Sequence, residues 1–181
     1  MFQVADSSAR MADKIYRIHS GFVWRIARAR GIPIASIPDI LQEVFVTVLR
    51  RLSTYQEMDA IKGWLYTIAD GHIRQYFRSE GRRVRRMSLL AQSDCGRPTA
   101  DDLDAHLSRS EASRLVQLFI DGLSSDLREV FLLCCVEGLP GVEVAALVGL
   151  NVNTLYSRVA TARQRFAAFV QQVQACEQVT P

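Results

Sequence analysis

At 181 residues, with 49% hydrophobic and 23% charged side chains, the chain has the composition of a soluble globular protein of one ordinary domain or two compact ones. Its apolar runs fall short of the roughly 20 residues of a membrane-spanning helix, and the N-terminus lacks a basic stretch followed by an apolar one, so no stable membrane insertion is expected and the cytoplasm is the expected compartment. The formal net charge of +3 is unevenly spread: residues 1–90 hold 15 Lys+Arg against 8 Asp+Glu, residues 91–112 hold 2 against 5, and residues 113–181 hold 5 against 6. Such a basic block suits either a polyanionic partner or a solvated face, and charge alone leaves both open.

From Met11 to Arg30 the apolar residues Ile15, Ile18, Phe22, Val23, Ile26 and Ala27 recur at a helical period, and Gly31 ends the helix. The segment GIPIASIP is a loop, because Pro33 and Pro38 bias the preceding residues away from helix. Ser36 with Asp39 three positions on forms an expected capping box. A second helix to about Leu52 turns Ile40, Leu41, Val44, Phe45, Val48, Leu49 and Leu52 inward, which leaves Asp39, Gln42, Glu43, Thr47 and Arg50 outside. A third, from about Ala60 to Ser79, carries Ile61, Trp64, Leu65, Ile68, Ala69, His72 and Tyr76 on one stripe, with Gly71 inside it at a cost of about 1 kcal/mol relative to Ala. The run EGRRVRR follows, where Arg82, Arg83, Arg85 and Arg86 join Arg74 and Arg78 in the densest basic cluster of the chain.

Residues 88–107 combine Gly96, Pro98 and the acidic run Asp101, Asp102, Asp104 without an apolar period, the pattern of a flexible linker. Helices are expected again at Ala112–Leu123, Ser125–Glu137, Val142–Val148 and Val152–Val173. No strand pattern occurs, so the expected class is all-α: two small helical domains, 10–87 and 112–175, tied by a flexible linker over 88–111. Cys95, Cys134, Cys135 and Cys176 form no CxxC pair and have no His at a zinc-like spacing. Small buried thiols in a reducing compartment are the favoured reading, ahead of a redox or metal role. No metal, cofactor or catalytic constellation is visible, which speaks against an enzyme.

The last two helices are joined by Gly149-Leu150-Asn151, the arrangement of a helix-turn-helix. Gly149 permits the sharp turn, Asn151 can cap the following helix, and Val144, Ala145, Val148, Leu150, Leu155 and Val159 fall where such a motif packs. The run LSSDLREVFLLCCVEGLPGVEVAALVGLNVNTLYSRVATARQRF resembles region four of the sigma-70 family, which reads the minus-thirty-five promoter element. The earlier DILQEVFVTVLRRL and AIKGWLYTIADGHIRQYFRSEGRR resemble region two, which binds the polymerase clamp and melts the minus-ten element. Both regions, joined by a short linker, point to the extracytoplasmic-function (ECF) group of sigma factors.

The resemblance implies core RNA polymerase (its beta-prime clamp helices and beta flap), promoter DNA and an anti-sigma factor as partners. It assigns Asp39, Gln42 and Glu43 to the clamp. It assigns Arg74, Arg78, Arg82 and Arg83 to the minus-ten strand, and Asn153, Tyr156, Ser157, Arg158 and Arg163 to the minus-thirty-five duplex, with phosphate neutralisation supplying affinity. Trp64 and Tyr66 could stack on bases, although Trp64 also lies on the apolar stripe. Thr67, Asp70 and Gly71 depart from the family's basic and Asn residues, and Tyr156, Ala160 and Thr161 stand where basic residues are frequent. Two rival readings remain at the level of sequence: a sigma-like decoy that captures an anti-sigma factor without promoter recognition, and an ordinary helix-turn-helix regulator.

Overall fold

The computed structural model describes residues 2–52, 55, 61–90 and 111–177, with side chains over 10–52, 55, 61–82 and 114–175. Seven helices run along the described chain, α1 (Phe2–Ala29), α2 (Ile37–Arg51), α3 (Ile61–Leu90), α4 (Glu111–Gly122), α5 (Ser125–Phe131), α6 (Gly141–Val148) and α7 (Val152–Glu177), and no strand occurs among the described residues.

The first three helices form one unit. Phe22, Val23, Ile26 and Ala27 of α1, Ile40, Val44 and Val48 of α2, and Leu65, Ile68, Ala69 and Ile73 of α3 interlock in its interior, each near-completely removed from water. Burial of one such branched side chain is worth about 1.5–3 kcal/mol, so these stripes far outweigh the local cost of Gly71 within α3. Two residues expected inside, Ile18 and Leu49, are exposed instead, as is Leu118 of α4. Each sits at the margin of its helix stripe, where the period alone does not tell inside from outside.

The local signals are obeyed in part. Pro38 lies within the first turn of α2, where its missing N–H is not needed, rather than in the loop. The expected capping box is absent: Ser36 makes no side-chain cap bond, and its hydroxyl lies 3.2 Å from that of Tyr76 on α3. Helix α3 runs eleven residues past Ser79, through Gly81 to Leu90. Residues 91–110, most of the expected linker, lie outside the described residues.

The second unit has an aromatic centre. Phe119 of α4 meets Phe131 of α5 edge-on at 5.2 Å and Phe166 of α7 at 5.0 Å, with Phe169 at 5.5 Å, around the fully buried Ala162. Helix α5 continues from Phe131 into a wide π turn, Leu132–Val136, in which Glu137 N–H bonds the Leu132 carbonyl at 2.9 Å. This turn presents Leu132 and Leu133 to the first unit.

The two units share a core. Leu132, Leu133, Val144, Ala145, Leu155 and Val159 belong to the same buried cluster as the interior of α1–α3. Gly63 allows the approach of α3 to α6: a Cβ there would stand 2.5 Å from Glu143 Oε1 and 3.8 Å from Leu147 Cδ1. The helix-turn-helix domain is thus docked on the α1–α3 unit.

Candidate nucleic-acid and polymerase interface

Gly149 closes α6 in the left-handed conformation at φ +70°, the region a side chain disfavours, and so makes the sharp turn expected from the sequence. Asn151 Oδ1 accepts the backbone N–H of Asn153 at 2.9 Å, capping α7. With Leu155 and Val159 buried against Val144 and Ala145, the first turns of α7 face outward, and Asn153, Tyr156, Ser157 and Arg163 are exposed there. This is the presentation by which a helix-turn-helix offers the N-terminal turns of its second helix to a major groove.

Several of these side chains have local partners. Arg158 Nη2 lies 3.2 Å from Asp126 Oδ2 at the start of α5. The Tyr156 ring, 52% exposed, lies over Gly141, where a Cβ would come within 2.8 Å of its Cε1. Arg163 Nε donates to Cys135 Sγ at 3.4 Å. Burial first, and the adjacent Cys135 second, push the Cys134 thiol up against the pull of Arg163, which disfavours the thiolate. Both cysteines are half-buried rather than enclosed.

On the first unit, Asp39, Gln42 and Glu43 lie together on the outer face of α2, where with Val46 they line a shallow open groove. The carboxylate of Glu43 is oriented from α3: His72 Nδ1 lies 3.1 Å from Glu43 Oε2, and His72 Nε2 lies 2.9 Å from Thr47 Oγ1. Arg74, Arg78 and Arg82 are exposed along α3, while the Arg83 side chain lies outside the described residues.

The altered position Asp70 has a structural reason. Only 14% of its side chain is exposed, and its two oxygens take Arg30 Nη2 at 2.9 Å and Arg74 Nη2 at 2.8 Å, so it braces α1 against α3. Tyr66 is not a stacking surface: it is 2% exposed, and its hydroxyl donates to Glu129 of α5 at 2.6 Å. Burial and that carboxylate both push its phenol far up. Sequence reasoning missed this role because an aromatic beside Trp64 reads equally as core or as stacking platform. Trp64 is half-buried and stacks on Tyr55 at 4.5 Å. Among the described residues, no cluster of His, Cys, Asp and Glu side chains is placed to hold a metal ion, and no helix is long and apolar enough to cross a membrane.

Family models for sigma-70 region 2 and sigma-70 region 4 match residues 15–83 and 113–166. The chain is 31% identical over 134 residues to the ECF RNA polymerase sigma-E factor of Haemophilus influenzae, covering 71% of each chain. It is 30% identical over 162 residues to the ECF RNA polymerase sigma factor SigE of Mycolicibacterium smegmatis, covering 87% of this chain but 61% of that relative's length. Its fold is similar to that of the sigma factor RpoE of Bartonella quintana, solved in complex with the anti-sigma factor NepR, with a TM-score of 0.66, 19% identity, and 88% and 96% of the two chains covered. It is also similar to CnrH, solved with the cytosolic domain of CnrY, with a TM-score of 0.56, 24% identity, and 94% of each chain covered.

Proposed function

The chain belongs to the ECF group of the sigma-70 family of RNA polymerase sigma factors, and from that premise we propose that it binds core RNA polymerase and directs promoter-specific initiation of transcription. It carries no chemistry of its own in this reading: the core enzyme makes RNA, and this subunit selects where synthesis starts. The observation that carries the proposal is the coexistence, in one chain, of an outward-facing helix-turn-helix capped by Asn151 with a first domain whose α2 face presents Asp39, Gln42 and Glu43.

Each surface has the chemistry its role needs. The α2 face offers hydrogen-bond acceptors and negative charge to the basic, polar clamp helices of polymerase. Arg74, Arg78, Arg82 and Arg83 offer phosphate contacts for the minus-ten strand. The first turns of α7 carry Asn153, Tyr156, Ser157 and Arg158 for base edges of the minus-thirty-five element, with Arg163 toward the backbone. An anti-sigma factor completes the proposal as the regulator, the kind of partner with which the RpoE of similar fold was solved. A subunit of polymerase works in the cytoplasm.

Addition of the purified protein to core RNA polymerase, followed by mapping of genomic transcription start sites, tests the reading. A defined set of new starts preceded by shared minus-thirty-five and minus-ten sequences is expected. Stable binding to an anti-sigma factor with no new starts would instead identify a decoy.

A further inference from the structure

The recognition turns of α7 expose an uncharged trio, Tyr156, Ala160 and Thr161. The two nearest cations are turned back onto the protein: Arg158 Nη2 lies 3.2 Å from Asp126 Oδ2, and Arg163 Nε lies 3.4 Å from Cys135 Sγ. The Thr161 hydroxyl is committed as well, donating to the Ser157 carbonyl at 3.0 Å. What this stretch of helix offers a groove is therefore largely apolar. Ala160 stands one turn after Tyr156 on the same face, so the ring and the methyl side chain form one patch.

Tyr156 is seated rather than loose. Its ring lies over Gly141, the first residue of α6, where an added Cβ would stand 2.8 Å from Cε1, 2.9 Å from Oη and 3.0 Å from Cζ. Only a residue without a side chain leaves room for the ring in this position. The rest of the ring is open, 52% of the residue being exposed, and Val142, the next residue of α6, is 63% exposed. An aromatic side chain pinned along one edge loses little freedom on meeting a ligand, because it has only two χ angles to fix. In the major groove the one apolar feature of a base edge is the 5-methyl group of thymine; guanine, adenine and cytosine present hydrogen-bonding groups alone.

We propose that Tyr156, seated on Gly141 and backed by Ala160, is a specificity-determining residue that reads a thymine of the minus-thirty-five element through the 5-methyl group of that base. Gly141 acts through the ring and not on DNA, as a positioning residue. Cytosine, a pyrimidine of the same size without the methyl group, is the base this contact disfavours. The inference rests on the proposed sigma function and adds to it the identity of one base in the promoter.

In the test, core RNA polymerase reconstituted with the full chain selects its site from duplexes randomised over the minus-thirty-five element. Each thymine of the selected site is then replaced by deoxyuridine, which removes the methyl group and nothing else. At one thymine the replacement should weaken binding roughly fourfold, the worth of burying one methyl group. The loss should persist in Tyr156→Phe and vanish in Tyr156→Ala, for which the thymine and uridine duplexes bind alike. A purely structural role for Tyr156 would lower both affinities equally, so the difference between the two duplexes is the measure. Gly141→Ala should shrink the loss while melting stays native, because its Cβ meets only the free end of an exposed side chain. An undiminished loss in Gly141→Ala overturns the positioning role of Gly141. The methyl contact is overturned by a uridine loss undiminished in Tyr156→Ala, or by a site at which no thymine methyl counts in the original chain, an outcome that needs no variant to fold. If the original chain selects no sequence at all, the sigma reading fails together with the methyl contact, whereas a well-defined site indifferent to uridine removes the methyl contact alone.

Discussion

Asp126 holds Arg158 at 3.2 Å in the free protein, so the side chain best suited to bidentate contact with guanine is partly engaged before DNA arrives. Replacement of Arg158 by Ala should cost about 1–3 kcal/mol at a cognate minus-thirty-five site and relax preference at one base pair. Asp126→Asn should have the opposite sign, tightening DNA binding by releasing the guanidinium; both effects are read by binding across a randomised minus-thirty-five library. His19 supplies a pH dependence. Burial first and the Lys62 ammonium second hold its pKa below 6.5, against the pull of Glu137. The unfolded chain therefore takes up the proton first, so this contribution to stability is complete above about pH 6.5 and is lost as the pH falls through the lower folded value. Thermal unfolding at about pH 7.5 and pH 5.5 should show a loss on acidification that is smaller in His19→Gln. At this scale the sequence is informative wherever the partner is close along the chain: the Asn151 cap and the Gly149 turn can both be read directly. It misleads at Ser36, whose hydroxyl turns to Tyr76, forty residues away, rather than to its own helix.

Helix α2 acts through a brace from α3. His72 contacts both Glu43 and Thr47, so the exposed acidic face is held by a side chain that the periodicity of α3 assigns to the core. Replacement of Gln42 and Glu43 together by Ala should weaken core polymerase binding while leaving helicity intact, since both side chains are exposed. Normal binding by a well-folded double mutant would remove α2 from the clamp contact. For α3, neutralising Arg82 and Arg83 should make the salt dependence of promoter binding shallower by roughly one unit of log-log slope for each phosphate that an arginine no longer neutralises. An unchanged slope would assign these arginines to a protein partner. The existence of nearly every helix is legible from apolar spacing, and its ends are not. Glycine at position 81 marks a reasonable stop, yet α3 winds on to Leu90. The π turn is hidden too, because VFLLCCV is apolar at every position and fits an α or a π winding equally well.

Across the whole molecule the shared interior predicts cooperativity. Since Leu132, Leu133 and Val144 pack into the same cluster as α1–α3, the domains should unfold in one calorimetric transition, whereas the Glu129→Gln/Glu137→Gln variant should show two. One transition in a variant shown to be expanded would contradict the shared core. None of this docking is visible in the sequence: Asp121, Glu129 and Glu137 read as ordinary solvated charges on separate helices, and only the fold aligns them with Arg28, Arg30, Arg25 and Lys62. The uneven charge of the two halves is its one outward trace, and that trace suits an external polyanion equally well. The π turn gives the alignment a rotational meaning. An α-helix advances about 100° per residue and the π turn takes one residue more to come round, so rewinding Leu132–Val136 as α with no residue removed would swing Glu137 about a quarter-turn away from Arg25 and Lys62. The winding is a phase setting: the same residues wound as π align Glu137 with its cations, and wound as α they do not, without altering a single charge.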